Sequence, residues 1–369
     1  MARVEHLITI DTEFSSHLRD LGVTGRIGQE ECGALKLAQI CRAERVKATF
    51  FVDVYGPHAA RNELLREIGL RIQDQGHDVE LHTHPDGRYD RQRGTMAHYS
   101  LSEQVEILQE GKAIFAKWFG CEPIAHRAGD WGANRDVFSA LRATNIPVDS
   151  SVFAGWPTCR VDIPGGPTNR PTLYEGILEI PPTVFYRRGF GLAYPYRLLS
   201  TDGQSMREVM DVIQRLKPRL PLLVSVFHSF SLLEWNARRT RYWVARHEVR
   251  KFEQFVQAIA RDDEATSLTM REIYEQYRRD PASVLGGSDG VPHSSAVYLI
   301  PRALERARSA VRGALVRSLD SHHGLRPWTR SGFRPIPRPT ASGVSPRNPE
   351  RERGAGEEKG TTGSVRGAP

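Results

Sequence analysis

The sequence predicts an α/β fold built on a parallel sheet or barrel, and two observations lead to this prediction. Within the first 280 of the 369 residues, short apolar runs alternate with longer segments whose apolar residues recur at helical spacing. Polar residues able to bind a metal or move a proton follow several of the apolar runs directly. Alternating strands and helices favour parallel strands, whose functional residues collect at their carboxyl ends.

Six short segments are predicted to be strands because they are apolar and rich in strand-forming side chains. They cover residues 5–10, 48–52, 78–81, 124–126, 178–180 and 222–227.

Helices are predicted between these strands. Residues 57–74 have leucines and isoleucines at helical spacing. Residues 101–118 follow Ser100, and Glu103 completes a capping box with it. A third helix follows Asn134, with apolar residues on one side. A further apolar helical pattern, with Phe252, Phe255 and Ile259, lies near the end of this region.

The chain after residue 280 has a different composition. We expect residues 1–280 to form one catalytic domain and residues 281–369, rich in Pro, Gly and Arg, to be a mostly disordered tail. Residues 301–369 hold 14 Lys and Arg against 6 Asp and Glu, a net of +8, whereas the whole chain is +7. The basic charge therefore belongs to the tail.

This basic tail has no aromatic interleaving and no nucleic-acid-binding motif, so no nucleic acid is expected as a partner. Residues 302–319 are able to form a basic amphipathic helix with weak attraction to an acidic membrane surface, although a solvated tail is the favoured interpretation. No signal peptide and no apolar run of about 20 residues is visible, so a cytoplasmic location is expected. The four cysteines lack the spacing of a zinc knuckle or a disulfide framework.

Two pairs of side chains carry most of the functional information. Asp11 and Glu13 in ITIDTEF, and His82 and His84 in DVELHTHPD, are each spaced i, i+2 at the carboxyl end of an apolar run. In an extended strand such pairs point to one face. Imidazole nitrogens with a carboxylate oxygen are the usual ligands of a catalytic zinc or a similar divalent ion. The four residues therefore predict a metal hydrolase.

Arg127, Asp149 and His228 lie at or near the ends of further strand candidates. Taken singly, each has an ordinary explanation: a structural salt bridge, a turn and a core histidine. Their placement at successive strand ends, together with the two pairs above, favours a single site.

The order of the segments ITIDTEF, KATFFV, GHDVELHTHPD, HRAGDWG, PVDSSVFAG and LLVSVFHSFS resembles the NodB-homology polysaccharide deacetylases, carbohydrate esterase family 4. The resemblance covers about residues 4 to 277. It is closest to divergent members associated with lipopolysaccharide, O-antigen and capsule biosynthesis, which share an HxHP second motif and a DSSV fourth motif. It implies a distorted (β/α)7-type barrel and a zinc-type ion held by an Asp-His-His triad.

Carried over from the family, Asp11 matches the aspartate that serves as general base. The family's next aspartate is a metal ligand, but Thr12 occupies that position here. Either Glu13 supplies the carboxylate, or Asp11 binds the metal and another group is the base. The second motif is shortened to His82-Thr83-His84-Pro85, which keeps both imidazoles as expected metal ligands.

Arg127 matches the family arginine that orients the catalytic carboxylate, although Gly129 replaces the usual proline two residues later. Asp149 falls in the fourth motif and is assigned to the catalytic group. His228 matches the histidine expected to act as general acid. Large aromatics such as Trp131 and Phe230 either form walls of a sugar pocket or belong to the core.

The predicted function is metal-dependent removal of an N-acetyl or other acyl group from a sugar or glycan precursor. Zn²⁺ is the expected cofactor, with Fe, Co and Mn also suited to the ligands. A hydrolase of a small non-sugar amide and a catalytically inactive carbohydrate-binding relative are the alternatives. A cupin-type metal protein is disfavoured because cupins are all-β, whereas helical patterns separate the strands here. The sequence does not predict the oligomeric state.

Overall fold

The computed structural model describes residues 3–15, 17–56, 58–153, 155–162, 168–187, 196–236, 238–288, 291–295 and 298. Its strands are β1 (Val4–Thr12), β2 (Arg26–Ile27), β3 (Glu30–Glu31), β4 (Ala48–Asp53), β5 (Asp78–Thr83), β6 (Ala125–Ala128), β7 (Val148–Asp149), β8 (Thr172–Tyr174), β9 (Ile177–Glu179), β10 (Val184–Tyr186), β11 (Tyr196–Leu198), β12 (Leu222–His228), β13 (Leu233–Trp235), β14 (Tyr242–Val244) and β15 (Ala265–Ser267). Its helices are α1 (Leu21–Thr24), α2 (Ala34–Ala43), α3 (Ala59–Gln73), α4 (Leu101–Phe119), α5 (Asp136–Ala143), α6 (Met206–Leu216), α7 (Arg246–Ala260), α8 (Met270–Arg279) and α9 (Pro281–Leu285).

The main sheet has the strand order β12-β1-β4-β5-β6-β7-β9-β8, and β15 pairs with the beginning of β1. Every pair along the path from β12 to β9 is parallel, and β8 is antiparallel to β9. All six predicted strands are present, and helices separate the other successive strands of the parallel path, although the described residues between β7 and β9 contain none. The predicted α/β class is therefore confirmed.

The two ends of this curled sheet meet through irregular chain. The Thr183 backbone N–H donates to the Val224 carbonyl at 3.0 Å, and the Val224 N–H donates to Thr183 Oγ1 at 2.8 Å. The Leu199 N–H donates to the Thr183 carbonyl. The Leu199 carbonyl in turn accepts from the N–H of Val226, which lies farther along β12, at 3.0 Å. Backbone bonds to single residues thus take the place of a regular strand pair, which gives the distorted barrel of seven parallel strands that the sequence predicted.

The barrel interior is apolar through its middle and closed at its amino-terminal end. Alternate residues of the strands point inward, and α8 and α9 add their own apolar side chains. This inner cluster consists of Leu7, Phe51, Ala125, Val148, Leu178, Ile180, Leu222, Val224, Met270, Ile273 and Val284. Fully burying one such aliphatic or aromatic side chain contributes about 1.5–3 kcal/mol. The opposite, carboxyl-terminal end of the barrel is left for polar residues.

The predicted helices are present with nearly the expected bounds. Residues 57–74 give α3, residues 101–118 give α4, and the segment after Asn134 gives α5. The Ser100 side chain and Glu103 form the reciprocal capping box at the start of α4. Phe252, Phe255 and Ile259 form part of the buried side of α7. A local sequence signal therefore sets the start of α4.

The described chain continues against the domain beyond residue 280. The Tyr186 backbone N–H donates to the Pro292 carbonyl at 2.8 Å, and Ser294 Oγ donates to Glu208 Oε1 at 2.6 Å. Residues 299–369, including the segment 302–319 for which an amphipathic helix was predicted, lie outside the described residues. The domain boundary and the tail therefore stay predictions. Among the helices of the described ranges, none is both long and apolar enough to span a membrane.

Candidate metal centre and active site

The strand register brings the predicted site residues to the carboxyl-terminal end of the barrel. Asp11 is paired with His228 across β1 and β12, and His82 is paired with Arg127 across β5 and β6. Asp53 is paired with His82 across β4 and β5. Side chains at one level of a parallel sheet point to the same face. These residues therefore converge on one end of the barrel interior.

Glu13, His82 and His84 form a cluster whose ligand atoms all lie within 4.8 Å of one another. Glu13 Oε2 lies 2.8 Å from His82 Nε2 and in hydrogen-bond contact with His84 Nε2. The His82 side chain is 1% exposed, that of Glu13 is 13% exposed and that of His84 is 24% exposed. The cluster therefore runs from the barrel interior towards the cavity above it.

The charges of this cluster reinforce one another. Burial by itself raises the pKa of Glu13, but the charges and hydrogen bonds of His84 and His82 outweigh burial and hold that pKa well below its usual range. Burial lowers the pKa of His84, but Glu13, Asp53 and Asp86 outweigh it and raise that pKa to about 10. Without a metal, His84 is therefore a cation paired with the Glu13 carboxylate.

The cluster fits a divalent cation. Two imidazole nitrogens and a carboxylate oxygen are a ligand set used by catalytic zinc sites, which keep a further position open. A metal ion needs neutral imidazole ligands, so binding would release the His84 proton. The carboxylate beside the two histidines is that of Glu13, and Asp11 lies outside this cluster of ligand atoms.

Asp11 is held instead by Arg127. Arg127 Nη1 donates to Asp11 Oδ1 at 2.7 Å and to Thr9 Oγ1 at 3.0 Å. Its Nε and Nη2 donate to the Ser150 carbonyl and hydroxyl at 3.2 and 2.9 Å. The guanidinium also lies over the Phe51 ring, 4.1 Å from its centroid. Arg127 is fully buried and bonded at each of its nitrogens, so it fixes the orientation of the Asp11 carboxylate.

His228 faces the cavity from the end of β12. Its backbone N–H donates to Ser231 Oγ at 2.9 Å, and Ser231 Oγ donates to Asp202 Oδ2 at 2.5 Å. Its imidazole stacks on Phe230 with 4.9 Å between ring centroids and 25° between planes. The backbone and the ring face of His228 are therefore both supported, while the ring borders the cavity.

A cavity of ≈ 780 Å³ lies above these groups. Asp11, Glu13, His84 and His228 line its floor. Its aromatic lining consists of Phe14, Trp131, Phe153, Trp156, Tyr196 and Phe230. Its other acidic lining residues are Asp86, Asp130 and Asp202. Trp131 and Phe230 thus border the cavity as well as contacting the core.

Asp149, which the sequence analysis assigned to the catalytic group, is not among the residues that line the cavity. Its register partner His126 precedes Arg127, so both side chains point to the outer face of the sheet. Asp149 Oδ1 lies 3.0 Å from His126 Nδ1 and accepts from Ser151 Oγ at 2.8 Å. The neighbouring Ser150 points inward and contacts Arg127. Asp149 is therefore a buried structural residue one position away from the site.

Solved structures similar to this chain come from several bacteria. A polysaccharide deacetylase from Mycobacterium smegmatis is 16% identical, with 79% of this chain and 96% of that chain covered and a TM-score of 0.49. A polysaccharide deacetylase from Pseudomonas aeruginosa PAO1 is 14% identical, with 76% of this chain and 92% of that chain covered and a TM-score of 0.47. A family 4 carbohydrate esterase from Streptomyces lividans, solved in complex with acetate, is 14% identical, with 72% of this chain and 91% of that chain covered and a TM-score of 0.37. No family model and no curated protein matches the sequence.

Beside the Glu13-His82-His84 cluster, Asp53 escaped the sequence analysis, and Gly129 was noted there only as the residue in place of a proline. Asp53 ends β4 and accepts from the His84 backbone N–H at 3.2 Å and from the Tyr55 N–H at 3.0 Å. Its position directly after ATFFV is the same signal that identified Asp11 and His228. Gly129 lies under the His84 ring, and its role depends on a tertiary contact that no local pattern reveals.

Proposed function

We propose that this chain is a metal-dependent hydrolase of the polysaccharide deacetylase type that removes an N-acetyl or other acyl group from a sugar or glycan precursor. One observation carries the proposal. Glu13 and His84 of the Glu13-His82-His84 cluster, the Arg127-bound Asp11 and His228 all border the same cavity. This arrangement supplies a cation site, a fixed carboxylate and an imidazole around one space.

The bound metal supplies Lewis-acid chemistry: it polarises the acyl carbonyl and makes a water molecule more acidic. Glu13, His82 and His84 hold the ion, with Zn²⁺ the foremost candidate. These ligands come from the ends of β1 and β5, which are rigid parts of the barrel. Because the ligands are already in place, little free energy is needed to reorganise the site during the reaction.

Asp11 acts as the general base. One of its oxygens accepts from Arg127, and the residue borders the cavity in which a water molecule would react. In the reaction a proton moves from water to Asp11 while the water oxygen bonds to the acyl carbon. Proton transfer by a positioned side chain contributes roughly 10²–10⁴ in rate.

His228 acts as the general acid at the leaving amine. Because Asp11 and His228 are register partners, they approach the acyl group from neighbouring strands. As the carbon–nitrogen bond breaks, the His228 imidazolium donates its proton to the amine nitrogen. The products are a carboxylic acid and a free amine.

The cavity walls suit a sugar ring. Phe153 and Trp156 stack with 5.0 Å between centroids and 10° between planes, and they present flat apolar surface to the cavity. Asp86, Asp130 and Asp202 place carboxylate oxygens in the same space, where hydroxyl groups donate. A cavity of ≈ 780 Å³ is within the usual range for small-molecule sites.

The proposal is tested by measuring the metal content of the purified protein and its acetate release from N-acetylated sugars. We expect close to one equivalent of Zn²⁺ or another divalent metal in the wild type, and acetate release that needs this metal. The double variant His82→Ala, His84→Ala should lose both. His58→Ala, which changes an exposed histidine away from the cavity, is the matched control and should keep both.

Other outcomes point to the alternatives. Metal-dependent hydrolysis of small non-sugar amides, without acetate release from sugars, would indicate an amidohydrolase. Metal and sugar binding without turnover of any amide would indicate an inactive carbohydrate-binding relative. Absence of metal from the wild type, even after reconstitution, would refute the hydrolase proposal.

A further inference from the structure

The face of the His84 imidazole lies directly against Gly129. A Cβ atom placed on Gly129 would lie 2.5 Å from each of three ring atoms of His84, Cε1, Nδ1 and Nε2. Ordinary van der Waals contact for such an atom begins at about 3.4 Å. Any side chain at position 129 would therefore need the space that the imidazole occupies.

The requirement at this position is for space and not for an unusual backbone. The φ angle of Gly129 lies outside the left-handed region, so an alanine could adopt the same backbone conformation. The next two residues do have left-handed φ angles, 52° for Asp130 and 56° for Trp131. Their constrained backbone fixes where Gly129 lies relative to His84.

The His84 ring has little freedom to move away. Its backbone N–H donates to Asp53 Oδ1, and its Nε2 contacts Glu13 Oε2. Its edge packs on the His82 ring, with 5.0 Å between centroids. A displacement of about 1 Å would remove Nε2 from the Glu13-His82 cluster. Metal–nitrogen bonds are about 2.0–2.1 Å long and tolerate only about 0.2 Å of error.

We propose that Gly129 is a positioning residue for the metal centre, because its missing side chain lets a histidine only two residues after His82 reach the same ion. The inference rests on the proposed function, since it assumes that the cluster binds metal. It links two departures from the motif pattern, the short His82-Thr83-His84 spacing and the glycine in place of proline. In this structure the short spacing requires the glycine.

The test is the affinity for Zn²⁺, measured by competition with a chromophoric chelator, in four proteins: the wild type, Gly129→Ala, His84→Ala and the double variant. Gly129→Ala should weaken Zn²⁺ binding by about 10- to 100-fold, as expected for a residue that orients a ligand. In the His84→Ala background the same change should have less than a threefold effect, because no ring remains to collide with. Should Gly129→Ala fail to fold, the double variant should regain a cooperative thermal transition.

Gly132→Ala is the matched control. A Cβ atom at Gly132 would collide with Thr95, 2.2 Å away, in the same loop but away from His84. The Gly132→Ala substitution should lower the melting temperature of the metal-free protein and leave its Zn²⁺ affinity within threefold of that of the wild type.

Two results would overturn the inference alone: wild-type affinity in Gly129→Ala, or an equal loss of affinity in Gly132→Ala. A wild type that binds no divalent metal would instead refute the proposed metal centre, and this inference with it.

Discussion

Asp11 and Glu13 stand two residues apart at the end of β1, yet their carboxylates have different partners. Glu13 contacts the two histidines, whereas Asp11 receives a hydrogen bond from Arg127. These different partners are the basis for the proposed roles of Glu13 as metal ligand and Asp11 as base, which the sequence left open. The i, i+2 spacing predicts only that the side chains share a face, and the partners are set by β5 and β6.

This separation predicts different defects for two isosteric variants. Asp11→Asn should lower kcat by about 10²–10⁴ while metal content stays near that of the wild type, because the base is lost and the ligands remain. Glu13→Gln should lose metal at chelator concentrations that leave Asp11→Asn loaded. Elemental analysis and acetate release on the same preparations measure both effects. Loss of metal from Asp11→Asn would assign Asp11 to the ligand set.

Most of the predicted site residues converge, whereas Asp149 points to the outer face of the sheet for a physical reason. Six of the seven predicted residues converge because each lies at the end of a strand whose inward face is marked by its apolar neighbours. β7 has only two residues, so no alternation along it shows which one points inward. In the DSSV segment the inward residue is Ser150.

Helix α4 shows how far local signals determine an element. Glu103 accepts from the Ser100 backbone N–H at 2.8 Å and from the Ser100 hydroxyl at 2.9 Å, and Arg93 Nη1 donates to it at 2.7 Å. The Ser100 bonds and the Arg93 contact lower the pKa of Glu103 to about 2. The start of the helix was predictable because the partners lie within four residues of one another.

The Glu103 pKa implies a defined pH dependence of stability. A carboxyl with a lowered folded-state pKa stabilises the fold fully above its unfolded pKa of about 4.5, and this contribution is lost as the pH falls through 2. Glu103→Gln should therefore be less stable than the wild type at pH 7, and the difference should shrink as the pH falls below 4.5. Urea unfolding at pH 7, 5, 4 and 3 measures it.

Glu106→Gln is the control for this series, because Glu106 is an exposed residue of the same helix outside the capping box. A difference for Glu103→Gln that stays constant from pH 7 to pH 3 would contradict the role assigned to its charge.

The strands that the sequence analysis missed are short and depend on tertiary contacts, whereas the missed helices α2, α6 and α8 have 10 or 11 residues. The hairpins β10–β11 and β13–β14 have strands of three residues each. β15 also has three residues, and it forms by pairing with Val4, Glu5 and His6 at the beginning of β1. Such segments are too short for a periodic pattern. The long alternating segments were predictable because their burial pattern repeats several times within each element.

At the scale of the whole barrel, the two ends differ in the residues they carry. The carboxyl-terminal end carries the Glu13-His82-His84 cluster and the cavity. At the amino-terminal end, Arg271 of α8 donates to the fully buried Glu80 at 2.9 Å and lies 3.6 Å from Asp78. Burial and the Asp78 charge raise the pKa of Glu80 well above its usual range. Burial also raises the pKa of Asp78 to about 6, although Arg271 opposes the shift.

Removing Arg271 should destabilise the barrel without changing the site. Arg271→Ala leaves two buried carboxyls without their cation, so we expect the free energy of unfolding to fall by about 2–3 kcal/mol at pH 8, a range reduced for the partial exposure of Arg271. The loss should be smaller at pH 5, where the carboxyls are more often neutral. Urea unfolding at the two pH values measures it.

Zn²⁺ affinity of Arg271→Ala should equal that of the wild type, because the site lies at the opposite end of the barrel. Arg278→Ala, at an exposed position of the same helix, should have little effect on either property. A loss of stability that does not depend on pH would contradict the charge argument.

Strand β1 lies between partners from distant parts of the chain, and this affects how the protein folds during synthesis. Its residues 4–12 pair with residues 222–228 on one side, and with residues 48–52 and 265–267 on the other. Strand β1 therefore keeps one edge unpaired until more than 200 further residues have been made. Topologies dominated by such long-range pairing fold slowly and expose strand edges in their intermediates. Asp11 and His228 become neighbours only when β1 pairs with β12, so these two cavity-lining residues are brought together late, with the closure of the barrel.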